Sequence, residues 1–239
     1  MGLIMVAGWQ GEGEQHQGAR PYQEDCWALR PLADGSLLAV VADGMGGHAG
    51  GAIASKVVVE AFVHAVEQGG GLADGLADAN AAVGKRAASS PDLAGMGATL
   101  VAVQVRGDEV RWISVGDSPL FLVSAGRIER LNADHSMVPQ IEAMVKRGLL
   151  TEEEAAVHPA RHTLREAVMG EPLTLIDRGS RRVGADAKLL LCSDGIQTLN
   201  QQQIEIGAPG TVRGLIDAVL AVHLEHQDNV TVVKLERDG

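Results

Sequence analysis

Short polar turns sit between several of the chain's apolar, β-rich runs, and they restrict the topology before anything else is considered. The turn ADGS at 33–36 lies between runs at Cys26–Leu32 and Ser36–Ala42. RGDE at 106–109 lies between Thr99–Val105 and Val110–Val115, and SAGR at 124–127 follows Leu120–Val123. Turns of this kind close antiparallel hairpins. Further strands are expected at Leu173–Val183, Ala187–Cys192 and Asn229–Glu236. Helical periodicity covers Ala52–Glu67, Leu72–Ala88, Val138–Arg147, Glu152–Ala156 and Thr211–His223. Thr151 followed three places on by Glu154 is a capping box. Hairpins with helices in pairs indicate an α+β fold of antiparallel sheets rather than a doubly wound parallel one. Two sheets held between helix layers would cover both faces of the continuous apolar strands. With no Pro, Gly or Ser linker and no internal repeat, residues 1–239 are expected to form a single domain.

Composition narrows the partners. The chain is 46% hydrophobic and 21% charged, ordinary for a soluble globular protein. No apolar run approaches the ~20 residues of a membrane span, and the N-terminus has no signal-peptide pattern. Cys26 and Cys192 lie in apolar stretches without a CxxC, as expected of reduced thiols in a cytoplasmic protein. A net charge of −11 argues against nucleic acid or an anionic membrane as a main partner. A monomer is expected.

Carboxylates stand where apolar strands meet loops. Asp43 ends LLAVVAD and Asp194 ends KLLLCSD, each followed by glycine. Asp117 lies in ISVGDS, Asp228 opens DNVTVV, and Glu24 and Asp25 close RPYQED. A single Asp-Gly is an ordinary turn signal. Several carboxylates brought to one place need cations, because buried charges without partners are costly. No Cys/His set has zinc spacing, so the economical cation is Mg2+ or Mn2+, which prefer oxygen ligands. Two such ions bridged by a carboxylate activate water and clamp a phosphoryl group. Arg20, five residues before Asp25, offers a guanidinium suited to bidentate phosphate contact, although a plain ion pair is equally open from the residues alone. The glycines after Asp43 in VVADGMGGHAGG let a ligand approach the backbone closely.

The ordered set RPYQED, VVADGMGGHAGG, GMGATLVAV, VGDS, LNADHS, GLLTEEEAAVHPARHTL, LLLCSDG and DNVTVV resembles the type 2C, metal-dependent (PPM) family of protein serine/threonine phosphatases in its compact bacterial form. The resemblance covers roughly residues 16–236. It implies a four-layer αββα sandwich of two antiparallel sheets flanked by helices, with a binuclear Mn2+ or Mg2+ centre between the sheets. It implies that Asp43 bridges the two tight metals and that the Gly44 carbonyl completes one site. Asp194 and Asp228 hold the second metal, and Glu24 and Asp25 bind directly or through water. Arg20 grips the substrate phosphate, Asp117 joins Asp194 around a weaker third ion, and His48 protonates the leaving group. Residues about 135–170 resemble the family's flap.

Three positions depart from the family pattern: Gln23 for Asn, Pro119 for Arg after GDS, and Gln197 for an acidic residue after SDG. None is an implied metal ligand. His158 and His162 lie outside the carboxylate set and are expected to pack the flap, while Met45 and Met96 are expected to pack the core. The function so implied is hydrolysis of phosphoserine and phosphothreonine in proteins phosphorylated by a Ser/Thr kinase, by direct attack of metal-activated water. The alternatives are a catalytically weak relative acting as a regulatory binding module, and a nucleotide-binding enzyme. The first is disfavoured because every expected carboxylate and Arg20 are present. The second is disfavoured because the loop has neither the GxxxxGK[ST] lysine nor GxGxxG spacing.

Overall fold

Residues Leu37 to Ala42 each have 0% exposure, so both faces of that strand are covered. Leu38, Val40 and Ala42 pack with Val58, Phe62 and Leu76 on one side. Leu37, Ala39 and Val41 pack with Leu189, Leu191, Val233 and Leu235 on the other. Alternation of side chains along a strand lets one apolar run serve two cores at once. A third core, with Leu190, Ile204, Leu215, Ile216 and Val232, lies beyond the second sheet. Helix, sheet, sheet and helix are thus stacked with a core at each junction.

The computed structural model describes residues 4–6, 8–46 and 50–237. In chain order these form β1 (Ile4–Val6), β2 (Trp9–His16), β3 (Asp25–Pro31), β4 (Leu37–Met45), α1 (Gly50–Glu67), α2 (Leu72–Ala87), β5 (Gly97–Ala98), β6 (Leu100–Arg106), β7 (Glu109–Val115), β8 (Leu120–Ser124) and β9 (Arg127–Arg130). There follow α3 (Val138–Lys146), α4 (Glu152–Ala156), β10 (Asp177–Arg182), β11 (Lys188–Cys192), α5 (Gln201–Gly207), α6 (Val212–Leu220) and β12 (Val230–Arg237). One sheet runs β1-β2-β12-β11-β8-β9 and the other β10-β7-β6-β4-β3, with β5 beside β4. The paired strands are antiparallel throughout the described residues. The α+β sandwich inferred from the sequence is therefore the fold observed.

The differences have local causes. The expected strand at Leu173–Val183 begins only at Asp177. The N–H groups of Thr174 and Leu175 donate to the Glu166 carboxylate at 2.7 and 3.0 Å, so their hydrogen bonds go to a side chain instead of a ladder. Strand β2 has no apolar alternation to betray it. Its sequence WQGEGEQH puts Trp9, Gly11 and Gly13 inward, and Gly13 stands where the Trp27 ring of β3 fills the space. Helix α5 follows an N-terminal capping box in which Asn200 Oδ1 accepts from Gln203 N–H and Gln203 Oε1 accepts from Asn200 N–H, both at 2.9 Å. The expected capping box at Thr151 forms at the start of α4.

A Cβ on Gly13 would lie 2.7 Å from the Trp27 ring. Gly13→Val should therefore destabilise the protein by about 1–3 kcal/mol, the usual cost of overpacking a filled core. Urea denaturation measures this, and an unchanged midpoint would contradict the inter-sheet packing.

Candidate metal centre

Strand parity takes the acids to one end of the inter-sheet layer. Asp43 continues the 37-39-41 face of β4, and its register partner on β3 is Asp25. Glu24 precedes β3, Asp117 follows β7, Asp194 follows β11 and Asp228 precedes β12. Both sheets therefore contribute. Arg20, Glu24, Asp43, Asp117, Asp194 and Asp228 line one cleft of about 670 Å³, with His162 and residues 163–167 of the chain segment after α4 on its other wall.

Asp25 is held from the opposite sheet. The Ser193 and Thr231 hydroxyls each donate to its Oδ2 at 2.7 Å. Its Oδ1 is buried and has no hydrogen-bond partner. Thr99 anchors Asp43: its Oγ1 accepts the Asp43 N–H at 3.0 Å, its own N–H donates to the Asp43 carbonyl at 2.8 Å, and its hydroxyl meets that of Ser118 at 2.7 Å. Gly44 N–H donates to the Glu24 carbonyl at 3.1 Å. A Cβ on Gly44 would fall on the Gly51 carbonyl, and one on Gly51 would meet the Glu24 carboxylate, so both glycines are required for α1 to start against the site. Arg20 Nη2 donates to Asp228 Oδ2 at 2.6 Å, with nearly half of the Arg20 side chain still exposed. His135, buried, accepts the Gly116 N–H on Nδ1 at 3.2 Å, and its backbone N–H donates to the Gly116 carbonyl at 3.1 Å, fixing the loop of Asp117.

Electrostatics sets the chemistry of this cluster. Burial, then the charges of Asp25, Asp194, Asp117 and Asp228, hold the Asp43 carboxyl well above the usual carboxylate range. Burial pushes Asp25 up to about 6, against the hydrogen bonds from Thr231 and Ser193. Asp194 rises to about 6 through burial and the charge of Asp228, and Asp117 to about 7 through burial and the charge of Asp194. Burial also raises Glu24. Among the described residues, no three His, Cys, Asp or Glu side chains are arranged as a ready-made metal shell. The acids do share a repulsion that a cation relieves, and Asp25 Oδ1 is an orphaned buried oxygen. Such an all-oxygen donor set fits Mg2+ or Mn2+.

The sequence-derived candidates thus converge, apart from His48, which lies outside the described residues. His162, expected to pack the flap, is exposed and lines the cleft. Asn229, Thr99, Ser193, Thr231 and His135 were missed as supporting residues. For Asn229, Thr231 and Ser193 the available signal was their place inside the quoted DNVTVV and LLLCSDG runs, since hydroxyls or amides at strand ends beside acids need a reason.

Residues 12–220 match the family model described as protein phosphatase 2C. The chain belongs to the protein phosphatase 2C family. It is 36% identical over 214 residues to the serine/threonine protein phosphatase PstP of Mycobacterium tuberculosis, an alignment covering 83% of this chain. The chain spans only 40% of the length of that relative. It is 29% identical to the serine/threonine phosphatase stp of Listeria monocytogenes, with 92% of each chain covered. Among solved structures, it is similar to the catalytic domain of PstP in complex with two manganese ions. That likeness has a TM-score of 0.79 and 28% identity, and covers 97% of this chain and 99% of the other. Among the described residues no helix is long and apolar enough to cross a membrane, and Cys26 and Cys192 are free thiols.

Asp25, Asp117 and Asp194 bind protons more tightly in the folded than in the unfolded chain. The stability they contribute is fully present below about pH 4 and is lost as pH rises through about 6 to 7. Cations and protons compete for the same oxygens. Mn2+ should therefore raise the melting temperature of EDTA-treated protein much more at about pH 7.5 than at about pH 5. An equal shift at both values, or none, would contradict the pairing of protons and cations at this site.

Proposed function

We propose that the chain hydrolyses phosphoserine and phosphothreonine in proteins, with Asp43, Asp194, Asp228, Glu24, Asp25 and the Gly44 carbonyl holding two tight Mn2+ or Mg2+ ions. The observation that carries this reading is the convergence of both sheets' strand-end acids and Arg20 on a single cleft. Two cations bound there supply activation of the attacking water and neutralisation of charge developing on the phosphoryl group.

The chain's own groups do the rest. Asp43, on which the charges of Asp25, Asp194, Asp117 and Asp228 all act, would be the ligand shared by the two ions. Arg20, which lines the cleft, spends Nη2 on Asp228 and keeps further N–H donors with which it would grip phosphate oxygens. Asp117, whose proton affinity the charge of Asp194 raises, would pair with Asp194 for a weaker third ion. His48 is proposed to protonate the leaving group. Residues 162–167 and 169, in the segment that resembles the flap, line the same cleft and would meet the polypeptide that flanks the phosphorylated residue. Phosphorylated proteins made by a Ser/Thr kinase are the proposed substrates, and a cytoplasmic monomer is the proposed form, supported by the free thiols. A regulatory binding module is the weaker reading, because the whole acid set and Arg20 are in place.

Asp43→Asn and Asp194→Asn should each lower turnover of p-nitrophenyl phosphate by on the order of 100-fold or more at saturating Mn2+, with the circular dichroism spectrum unchanged. Activity within about threefold of the parent would sink the assignment. Asp117→Ala should lower turnover while two Mn2+ still bind by calorimetry and the melting temperature holds. Undiminished turnover with a clear loss of stability would make Asp117 a turn residue instead.

A further inference from the structure

The loop between β2 and β3 carries Arg20 and Glu24 and has no regular structure of its own. Its position is set by residues at the start of β12. Ala19 N–H donates to the Gln227 carbonyl at 2.8 Å, and Arg20 pairs with Asp228. The third and most extensive tie is Asn229, which is 3% exposed. Its Oδ1 accepts the Glu24 N–H at 2.7 Å. Its Nδ2 donates to the Gln17 carbonyl at 2.7 Å and to the Tyr22 carbonyl at 3.0 Å. Both amide donors are used, and only this orientation works, because a flipped amide would set nitrogen against N–H and oxygen against two carbonyls.

Asn229 therefore touches the loop before Arg20 at residue 17 and after it at residues 22 and 24. The residue preceding it, Asp228, is tied to the same side chain environment: Asp228 Oδ1 accepts the Asn229 N–H at 2.8 Å while Oδ2 accepts from Arg20. One amide thus fixes the loop that presents the guanidinium relative to the acid the guanidinium pairs with. We propose that Asn229 is a positioning residue for the phosphate site, acting through Arg20; this rests on the phosphatase reading above. A residue buried only for stability would need no such distribution of bonds across both sides of one functional side chain. Supporting groups of this kind typically change affinity or activity by 10–100-fold when removed.

The test compares Asn229→Ala and the same-shaped Asn229→Asp, each alone and combined with Arg20→Ala. Inorganic phosphate binding to the Mn2+-loaded protein is measured by calorimetry, phosphopeptide hydrolysis by kcat and KM, and folding by melting temperature. Asn229→Ala should weaken phosphate binding and raise KM by about 10-fold or more, with a smaller change in kcat. Asn229→Asp keeps the acceptor for Glu24 but loses both donors, and should show the same pattern. In the Arg20→Ala background, either change should weaken phosphate binding by less than about twofold, since coupled residues are not additive. Equal losses in both backgrounds, no loss in either, or failure of both variants to fold would overturn the proposal. If the parent chain binds phosphate but hydrolyses no phosphopeptide, the phosphatase reading fails while the phosphate arm still judges Asn229.

Discussion

Mutual repulsion among buried carboxylates is the constraint on which this molecule turns. Asp25, Asp43, Asp117 and Asp194 are each pushed above their ordinary ionisation by burial and by the charges around them. A fold that gathers like charges in this way loses stability unless protons or cations occupy the cluster. Three hydrophobic cores hold the frame against that strain. A divalent cation bound here would relieve that repulsion, and a pair of such ions is what the proposed phosphoryl chemistry uses. Destabilisation and the proposed function have the same origin.

The sandwich decides where the repulsion falls. In β4 the residues before Asp43 alternate between the helix-side core and the inter-sheet core, so Asp43 continues the inter-sheet face. On β11 and β12 the same alternation brings Ser193 and Thr231 to meet Asp25 across the layer. The hydroxyls fix one oxygen of Asp25 and leave the other without a protein partner. Strands and their ends thus supply most of the acids, and the irregular loop between β2 and β3 supplies Arg20 and Glu24, held by Asn229 at the start of β12. Precision in the loop is borrowed from the sheet.

Much of this was legible in the sequence because the signals were local. Apolar runs ending in Asp-Gly mark Asp43 and Asp194 directly, and hairpin turns fix the antiparallel class. What was not legible depended on partners far away in the chain. Strand β2 hides its inward face behind Gly11 and Gly13, whose small size makes sense only once Leu29 and Trp27 are seen opposite. The missing first half of the expected Leu173–Val183 strand reflects a carboxylate, Glu166, taking backbone N–H groups that a ladder would otherwise use. The tie from Asn229 to residues 17, 22 and 24 spans more than two hundred positions. His162 was placed by the sequence in flap packing, but the fold turns it to the cleft.

The central claim is that the converging acids bind two divalent ions as one bridged unit. Electron paramagnetic resonance of the Mn2+-loaded protein tests it directly. The account predicts the signature of a spin-coupled Mn2+ pair, reduced to uncoupled ions when Asp43 is replaced by Asn. A six-line spectrum of isolated Mn2+ at every loading, unaffected by Asp43→Asn, would contradict it.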